Sequence, residues 1–311
     1  MRAILYDAKG QDRDVDLGST NLSTLGTDQL LWIITSPEEA SATLMPEDIS
    51  RAVLSRRYAQ ALELRERSYE FSLPVLKRAE NDGSEIRFVV GTTWLLTICD
   101  PTPDYMSRFL EMDEGENLRG RLSPTALAAA LILEHLNVYK GDLIAVEKAI
   151  DKLDETVLRA REKRAPLSTL AVLRRRVSSL RANLSEMGEV VQAFNRPDFK
   201  EHIGGADAAH FKQIQYVFDR LEDMVARVRE AIVSSYDLYD TRVSQDTNRL
   251  IKALTIITVM TGVIGAVAGI FGMNFDLPFE HTGMTGFIAV TAAMLIAALA
   301  VLVVSLWRRW F

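Results

Sequence analysis

The chain has 311 residues, a formal net charge of −6 and 48% hydrophobic residues. That acidity argues against nucleic acid as partner, because phosphate binding wants clustered Lys and Arg, and it suits a water-exposed part that handles cations. The one cysteine, Cys99, excludes an intrachain disulfide and a Cys-rich metal cluster, and reads as a buried strand residue in a reducing compartment.

From the N-terminus, MRAILYDAKGQDRDV lacks the apolar core of a secretory signal peptide. Residues 1 to about 120 then mix strand-like and helix-like patches. Ala3–Tyr6, Gln29–Thr35, Glu70–Leu76, Ile86–Val90 and Thr93–Cys99 are short apolar or β-branched runs bounded by turn residues. Asn81-Asp82-Gly83-Ser84 and Gly91-Thr92 fit hairpin turns, and Pro46–Leu64 and Pro103–Glu111 read as helices. The sum is a compact α/β domain with a mixed or mostly antiparallel sheet. It holds no Gly-rich phosphate loop, nucleophile elbow or HExxH, so no enzyme is expected.

From Ser123 the pattern is helical only. Ser123-Pro124 supplies a hydroxyl cap and a first-turn proline, and the helix to about Arg164 carries Leu127, Leu131, Leu136, Leu143, Val146, Ile150, Leu153 and Val157 on one stripe. Pro166 marks a break. A second helix, Leu167 to about Asn195, places Leu170, Leu173, Val177, Leu180, Leu184, Met187 and Val191 likewise, and Arg196-Pro197-Asp198 with Gly204-Gly205 closes it. A third helix starts near Asp207 and meets no Gly or Pro before Gly262; to Phe271 it would be about 95 Å long.

Its last part, Ala253–Phe275, contains no charge, and as a helix would be roughly 35 Å long, enough to cross a bilayer. A second uncharged run, Thr282–Trp307, follows a short loop, so the two read as a transmembrane hairpin. Arg249 and Lys252 precede the first span and Arg308 and Arg309 follow the second, while the loop holds Asp276 and Glu280. The positive-inside rule therefore puts both termini in the cytosol and the acidic loop outside, with Trp307 and Trp310 at the inner interface.

Along the third helix, Asp237, Thr241, Ser244, Asn248, Ile251, Thr255, Thr258, Gly262, Gly265 and Gly269 recur in steps of three and four, the seam of a supercoil. The stripe is polar before the membrane and small or hydroxyl-bearing within it, whereas Ile256, Val259, Ile264 and Val267 are apolar. Two readings stand. Gly265 and Gly269 could serve close helix packing, with Thr255 and Thr258 bonded back to their own helix. Alternatively the stripe faces an axis shared by several copies, since one hairpin cannot enclose a pore.

The first span ends in Gly272-Met273-Asn274. At the outer end of the first of two C-terminal spans, this tripeptide resembles the signature of the CorA family of divalent-cation channels, and Thr247–Ile257 resembles that family's run into the membrane. The resemblance is close over about residues 235–276 and loose over the rest. It implies an α+β cytoplasmic domain (1–120), a long-helix funnel or stalk (121–250) and a transmembrane domain (251–311) with spans at about 252–273 and 284–307. It further implies a homopentamer in the cytoplasmic membrane that conducts Mg2+, with Co2+ and Ni2+ as related ions, and needs no cofactor.

By the family motif, Asn274 with Gly272 and Met273 forms an outer selectivity ring that binds the hydrated ion, Gly269 and Asn248 lie on the pore line, and Asp237 sits near the inner mouth. Two features depart from the pattern. The outer loop is shortened to Leu277-Pro278-Phe279-Glu280-His281, leaving Asp276 and Glu280 to attract cations. Gly262 and Gly265 replace a bulky membrane gate, leaving Ile251 and Leu254 as gate candidates. A regulatory metal site is unassigned among Asp142, Asp151, Asp219 and Asp223, and His135, His202, His210 and His281 show no ligand spacing. A zinc-selective or proton-coupled relative, and a non-conducting membrane-anchored scaffold, are the alternatives.

Overall fold

The computed structural model describes residues 1–7, 12–17, 25, 26, 28–42, 49, 61–75, 85–111, 123–159, 165–205, 207–272 and 283–307. These fall into two compact units, Met1–Leu153 with Leu167–Val233, and Asp154–Pro166 with Ser234–Phe311.

In the first unit, β1 (Arg2–Asp7), β2 (Arg13–Asp14), β3 (Gln29–Thr35), β4 (Glu63–Leu64), β5 (Tyr69–Pro74), β6 (Glu85–Val90) and β7 (Trp94–Ile98) form one sheet in the order β2-β1-β3-β7-β6-β5-β4. β3 and β7 run parallel, Leu31 opposite Trp94, and the other neighbouring pairs are antiparallel. The expected mixed, mostly antiparallel sheet is what forms. All of β3 after Gln29 is buried, as a central strand covered on both faces must be. Leu31, Ile33, Val89 and Leu96 share one core cluster with Ala40 of α1 (Pro37–Ala42) and with Ile49. Elsewhere in the sheet Phe71 stacks on Phe88 at 5.0 Å between ring centres and meets Phe194 edge-on at 5.2 Å.

Two devices fix strand register. The Gly91 N–H donates to the Trp94 carbonyl at 2.8 Å, and the indole lies so close that a Cβ at Gly91 would sit 2.3 Å from it. Only glycine lets the Gly91-Thr92 turn close under that ring. On β5, the buried Glu70 carboxylate accepts from Arg65 Nη2 at 3.2 Å and Arg87 Nη2 at 2.5 Å, which joins β5 to the β4–β5 turn and to β6.

That turn corrects one expectation. Pro46–Leu64 is not helical to its end: Glu63–Leu64 pairs with Tyr69–Glu70, because the Arg65 N–H closes onto the Ser68 carbonyl at 2.8 Å and Arg65 reaches Glu70. Residues 46–48 and 50–60 of that stretch, and the Asn81–Ser84 turn, lie outside the described residues. The strands flanking the latter pair antiparallel, Pro74 opposite Glu85.

The helices are α2 (Asp104–Glu111), α3 (Pro124–Arg159), α4 (Ala165–Ala193), α5 (Pro197–Ile203), α6 (Ala208–Phe271) and α7 (Met284–Trp307). Ser123 caps α3 as expected: its Oγ accepts from the Ala126 N–H at 3.0 Å and donates to Asp207 Oδ2 at 2.8 Å. Apart from the half-buried Leu153 and Leu173, every stripe residue expected on α3 and α4 is buried. Pro166 stands inside the first turn of α4 rather than before it, where its missing N–H leaves no intrahelical bond unmade. The short α5 stands between the two groups of residues that close α4 in the sequence: Pro197 opens it, Gly204 with φ 79° ends it, and its Phe199 is buried against Tyr69, Phe194 and Phe211.

On α3, His135 is buried between Tyr105 and Tyr139, and its Nε2 meets the Pro74 carbonyl at 3.0 Å. Burial pushes its pKa down to about 4, since no charged partner repays desolvation of an imidazolium. The folded state therefore stays neutral while the unfolded chain takes up a proton near pH 6.5, so stability is complete above that pH and declines as pH falls towards 4. Thermal melts from pH 7 to pH 5 should show a loss of about 2 kcal/mol attributable to this residue, absent from His135→Phe. An identical pH slope in both proteins would contradict it.

Candidate functional site

α6 is a single helix of 64 residues, about 96 Å long. Its uncharged portion, Ala253–Phe271, rises about 28 Å, close to the hydrocarbon thickness of a bilayer. Among the described residues this is the helix long and apolar enough to cross a membrane, and almost none of it is buried within the chain. α7 has 24 residues without a charge, about 36 Å of helix, and Phe287, Ile288, Leu295, Ile296, Leu299 and Val303 stand exposed on it.

At 3.6 residues per turn, Asp237, Thr241, Ser244, Asn248, Ile251, Thr255, Thr258, Gly262, Gly265 and Gly269 fall within an arc of roughly 120°, drifting as a seven-residue repeat must on a straight helix. Leu254 lies at the edge of that arc. All eleven side chains or Cα positions are exposed in the single chain. A Cβ added at Gly262, Gly265 or Gly269 would meet nothing within 4 Å, so among the described residues these glycines do not bring α6 close to another part of its own chain.

The opposite face does that. Ile256 is buried and Ala253, Met260, Val263 and Val267 are half-buried, a three-four repeat turned away from the stripe. On α7 the half-buried positions Gly286, Val290, Met294 and Ala297 recur in the same steps. Of the four apolar residues set against the stripe in the sequence, Ile256 and Val267 belong to this seam, whereas Val259 and Ile264 are exposed. Ala253, Met260 and Val263 went unnoticed there, although their apolar three-four spacing carried the signal.

The stripe's chemistry is acceptor-rich. Thr255 Oγ1 donates to the Ile251 carbonyl at 2.8 Å, the bond back to its own helix that the packing reading expects, and this leaves its oxygen lone pairs as the remaining hydrogen-bonding capacity. Such an oxygen can accept from the waters around a hydrated cation. Nearer the N-terminal end, Asp237 and Asn248 add a carboxylate and an amide, and Arg249, 3.7 Å from Asp246, and Lys252 mark the polar boundary. At the other end, the Gly272 N–H still donates to the Ala268 carbonyl at 2.9 Å, continuing the helical pattern to the motif's first residue. Met273, Asn274, Asp276 and Glu280 lie outside the described residues, as do His281 and the terminal Arg308 and Arg309.

The candidate regulatory carboxylates are dispersed. Asp142 pairs with Arg176 at 2.7 Å, and Asp219 accepts from Gln215 at 2.6 Å. Among the described residues no three His, Cys, Asp or Glu side chains gather as a metal site. His202 lies edge-on to Tyr69, and His135 is committed to the core.

The chain is similar to known proteins in sequence and in fold. The family profile of the CorA-like Mg2+ transporter protein matches residues 39–309. A cobalt/magnesium transport protein CorA from Thermotoga maritima is 29% identical over 165 residues, 53% of this chain and 46% of that protein. The matched stretch thus spans about half the length of such curated relatives. The complete CorA magnesium transporter structure from Methanocaldococcus jannaschii aligns over 100% of this chain and 99% of its own, with TM-score 0.75 and 20% identity. The full-length CmaX protein aligns over 97% of each chain with TM-score 0.69 and 17% identity. Both likenesses show a shared fold: an α+β domain, long helices and a C-terminal helical pair.

Proposed function

Because this chain belongs to the CorA-like Mg2+ transporter protein family, we propose that it is a homo-oligomeric membrane channel for divalent cations, Mg2+ first, lined by the stripe on α6. The observation that carries this reading is the orientation of the stripe. Polar, hydroxyl-bearing and glycine positions face away from the α6–α7 seam and are uncovered in the single chain, whereas the apolar three-four repeat is the face that packs. Copies arranged around a common axis would bring the stripes together and leave the seams and α7 outside, towards lipid. Five copies, the number the family resemblance implies, suit a narrow bundle of single helices.

In this reading residues 1–120 form the cytoplasmic α/β domain, 121–250 the long-helix stalk and 251–311 the transmembrane domain, with both termini in the cytosol. Gly272, Met273 and Asn274 form the outer ring. Mg2+ prefers octahedral oxygen ligands and gives up its waters reluctantly, so a ring of neutral carbonyls binds the hydrated ion through its waters, firmly enough to admit it and loosely enough to release it. Asp276 and Glu280 raise the local cation concentration outside. Gly262, Gly265 and Gly269 leave width for a hydrated ion, Ile251 and Leu254 form the apolar constriction, and Asn248, Ser244, Thr241 and Asp237 carry the ion towards the cytosol. Inward movement is driven by an inside-negative potential worth about 2.3 kcal/mol per charge per 100 mV, doubled for a divalent ion.

The test is entry of Mg2+ into liposomes holding the purified protein and an internal dye, under an imposed inside-negative potential. Potential-dependent Mg2+ entry without a pH gradient is the expected result. Zn2+ entry without Mg2+ entry would assign the chain to zinc transport, entry that requires a pH gradient would make it proton-coupled, and silence to every cation would leave a membrane-anchored scaffold.

A further inference from the structure

The seam between α6 and α7 is incompletely filled. A groove of about 470 Å3 runs between Val267 and Phe271 of α6 and the positions Gly286, Ala289, Ala293 and Ala297 of α7. Small residues at such spacing ordinarily let two helix backbones approach. Here they leave space instead, and the walls carry almost no polar surface. An empty apolar groove forfeits the dispersion contacts that a filler would make, and a wall without hydrogen-bonding groups does not hold water.

We propose that this groove binds one acyl chain of a membrane phospholipid from the leaflet at the Phe271 and Gly286 end. The inference rests on the membrane placement given above. Three observations identify the occupant. From Gly286 to Ala297 α7 rises about 16 Å, the depth of one leaflet, or half the roughly 30 Å hydrocarbon core. The groove belongs to the uncharged part of both helices, where the surrounding solvent is lipid. Its α6 wall, Val267 and Phe271, is on the face turned away from the glycine stripe, so an axis running along the stripe places this wall on the side away from that axis. A chain lying there completes the packing of the hairpin at its outer half.

The full-length protein in phosphatidylethanolamine–phosphatidylglycerol vesicles, doped with a phosphatidylcholine bearing a photoactivatable group midway along one acyl chain, tests this by mapping labelled peptides. Label at Val267 and Ala293 is expected to exceed that at the outward-facing Leu295 and Ile296 several-fold, and to fall several-fold in Ala293→Phe. Ala289→Leu, a smaller filling, is expected to lower it as well and guards against a variant that does not assemble. Even labelling around α7 that neither variant changes would overturn the site and leave the membrane placement standing. A disulfide linking two copies through Ala293→Cys in a Cys99→Ala background would make a second copy the occupant. No label on either helix would overturn the membrane placement and the site together.

Discussion

Replacing Asn274 by Ala should cut Mg2+ entry into liposomes by at least about tenfold while the protein still assembles. In the proposed outer ring the Asn side-chain carbonyl accepts hydrogen bonds from waters polarised by the ion. Hydrogen bonds with a charged partner contribute about 1.5–3 kcal/mol each, and about 1.4 kcal/mol already corresponds to a factor of ten. A symmetric assembly makes the substitution in every copy at once, so the loss compounds around the ring. Asn274→Asp keeps the acceptors but adds a charge per copy, and should hold the ion too firmly, slowing release. Initial rates of dye response, with assembly state checked by size, give the answer. Unchanged entry in Asn274→Ala would move selectivity inward along the stripe.

The largest stability effect is expected at Glu70. Its carboxylate is 1% exposed and receives both Arg65 and Arg87, whose side chains are 26% and 22% exposed. Glu70→Ala leaves two cations facing a buried site without their shared anion, a change that costs about 3–5 kcal/mol where charges are fully buried. The two guanidinium groups retain some contact with water, which places the expected loss at the lower end, about 3 kcal/mol. For a unit of this size that is roughly 6–12 °C in melting temperature, read from the fluorescence of the core residues Trp32 and Trp94. Glu70→Ala combined with Arg87→Ala should recover part of the loss, because one of the two guanidinium groups goes with it, while Arg65 keeps Glu63 at 3.6 Å. Equal melting of wild type and Glu70→Ala would show that the cluster contributes nothing net.

Much of this architecture was legible in the residues. Helices α3, α4 and α6 announce themselves by long apolar repeats and by cap residues such as Ser123, and the central strands by dense β-branched and aromatic runs. Short elements were not. β2 and β4 have two residues each and are held by pairing rather than by any pattern of their own, and the helical reading of Pro46–Leu64 failed at Leu64 for that reason. α5 does not stand out because Pro197 and Gly204 punctuate it and read as the close of the preceding helix, although the same pair can start and stop a helix. At the candidate site the stripe could be listed from spacing, but not which way it faced. Gly265 and Gly269 suit close packing and an open axis equally well as letters; the space around their Cα atoms and the burial of Ile256 on the other side show only that the described part of the same chain packs on the opposite face.

The central claim is that this face of α6 lines the path of the ion, and single cysteines test it most directly. Thr258→Cys and Gly265→Cys lie on the stripe, and Ile257→Cys and Ile264→Cys are exposed off it, while the native Cys99 is buried. In liposomes, a small charged thiol reagent should block Mg2+ entry through the two stripe variants and leave the two off-stripe variants conducting. Equal block at both faces, or block only at Ile257→Cys and Ile264→Cys, would contradict a pore lined by the stripe.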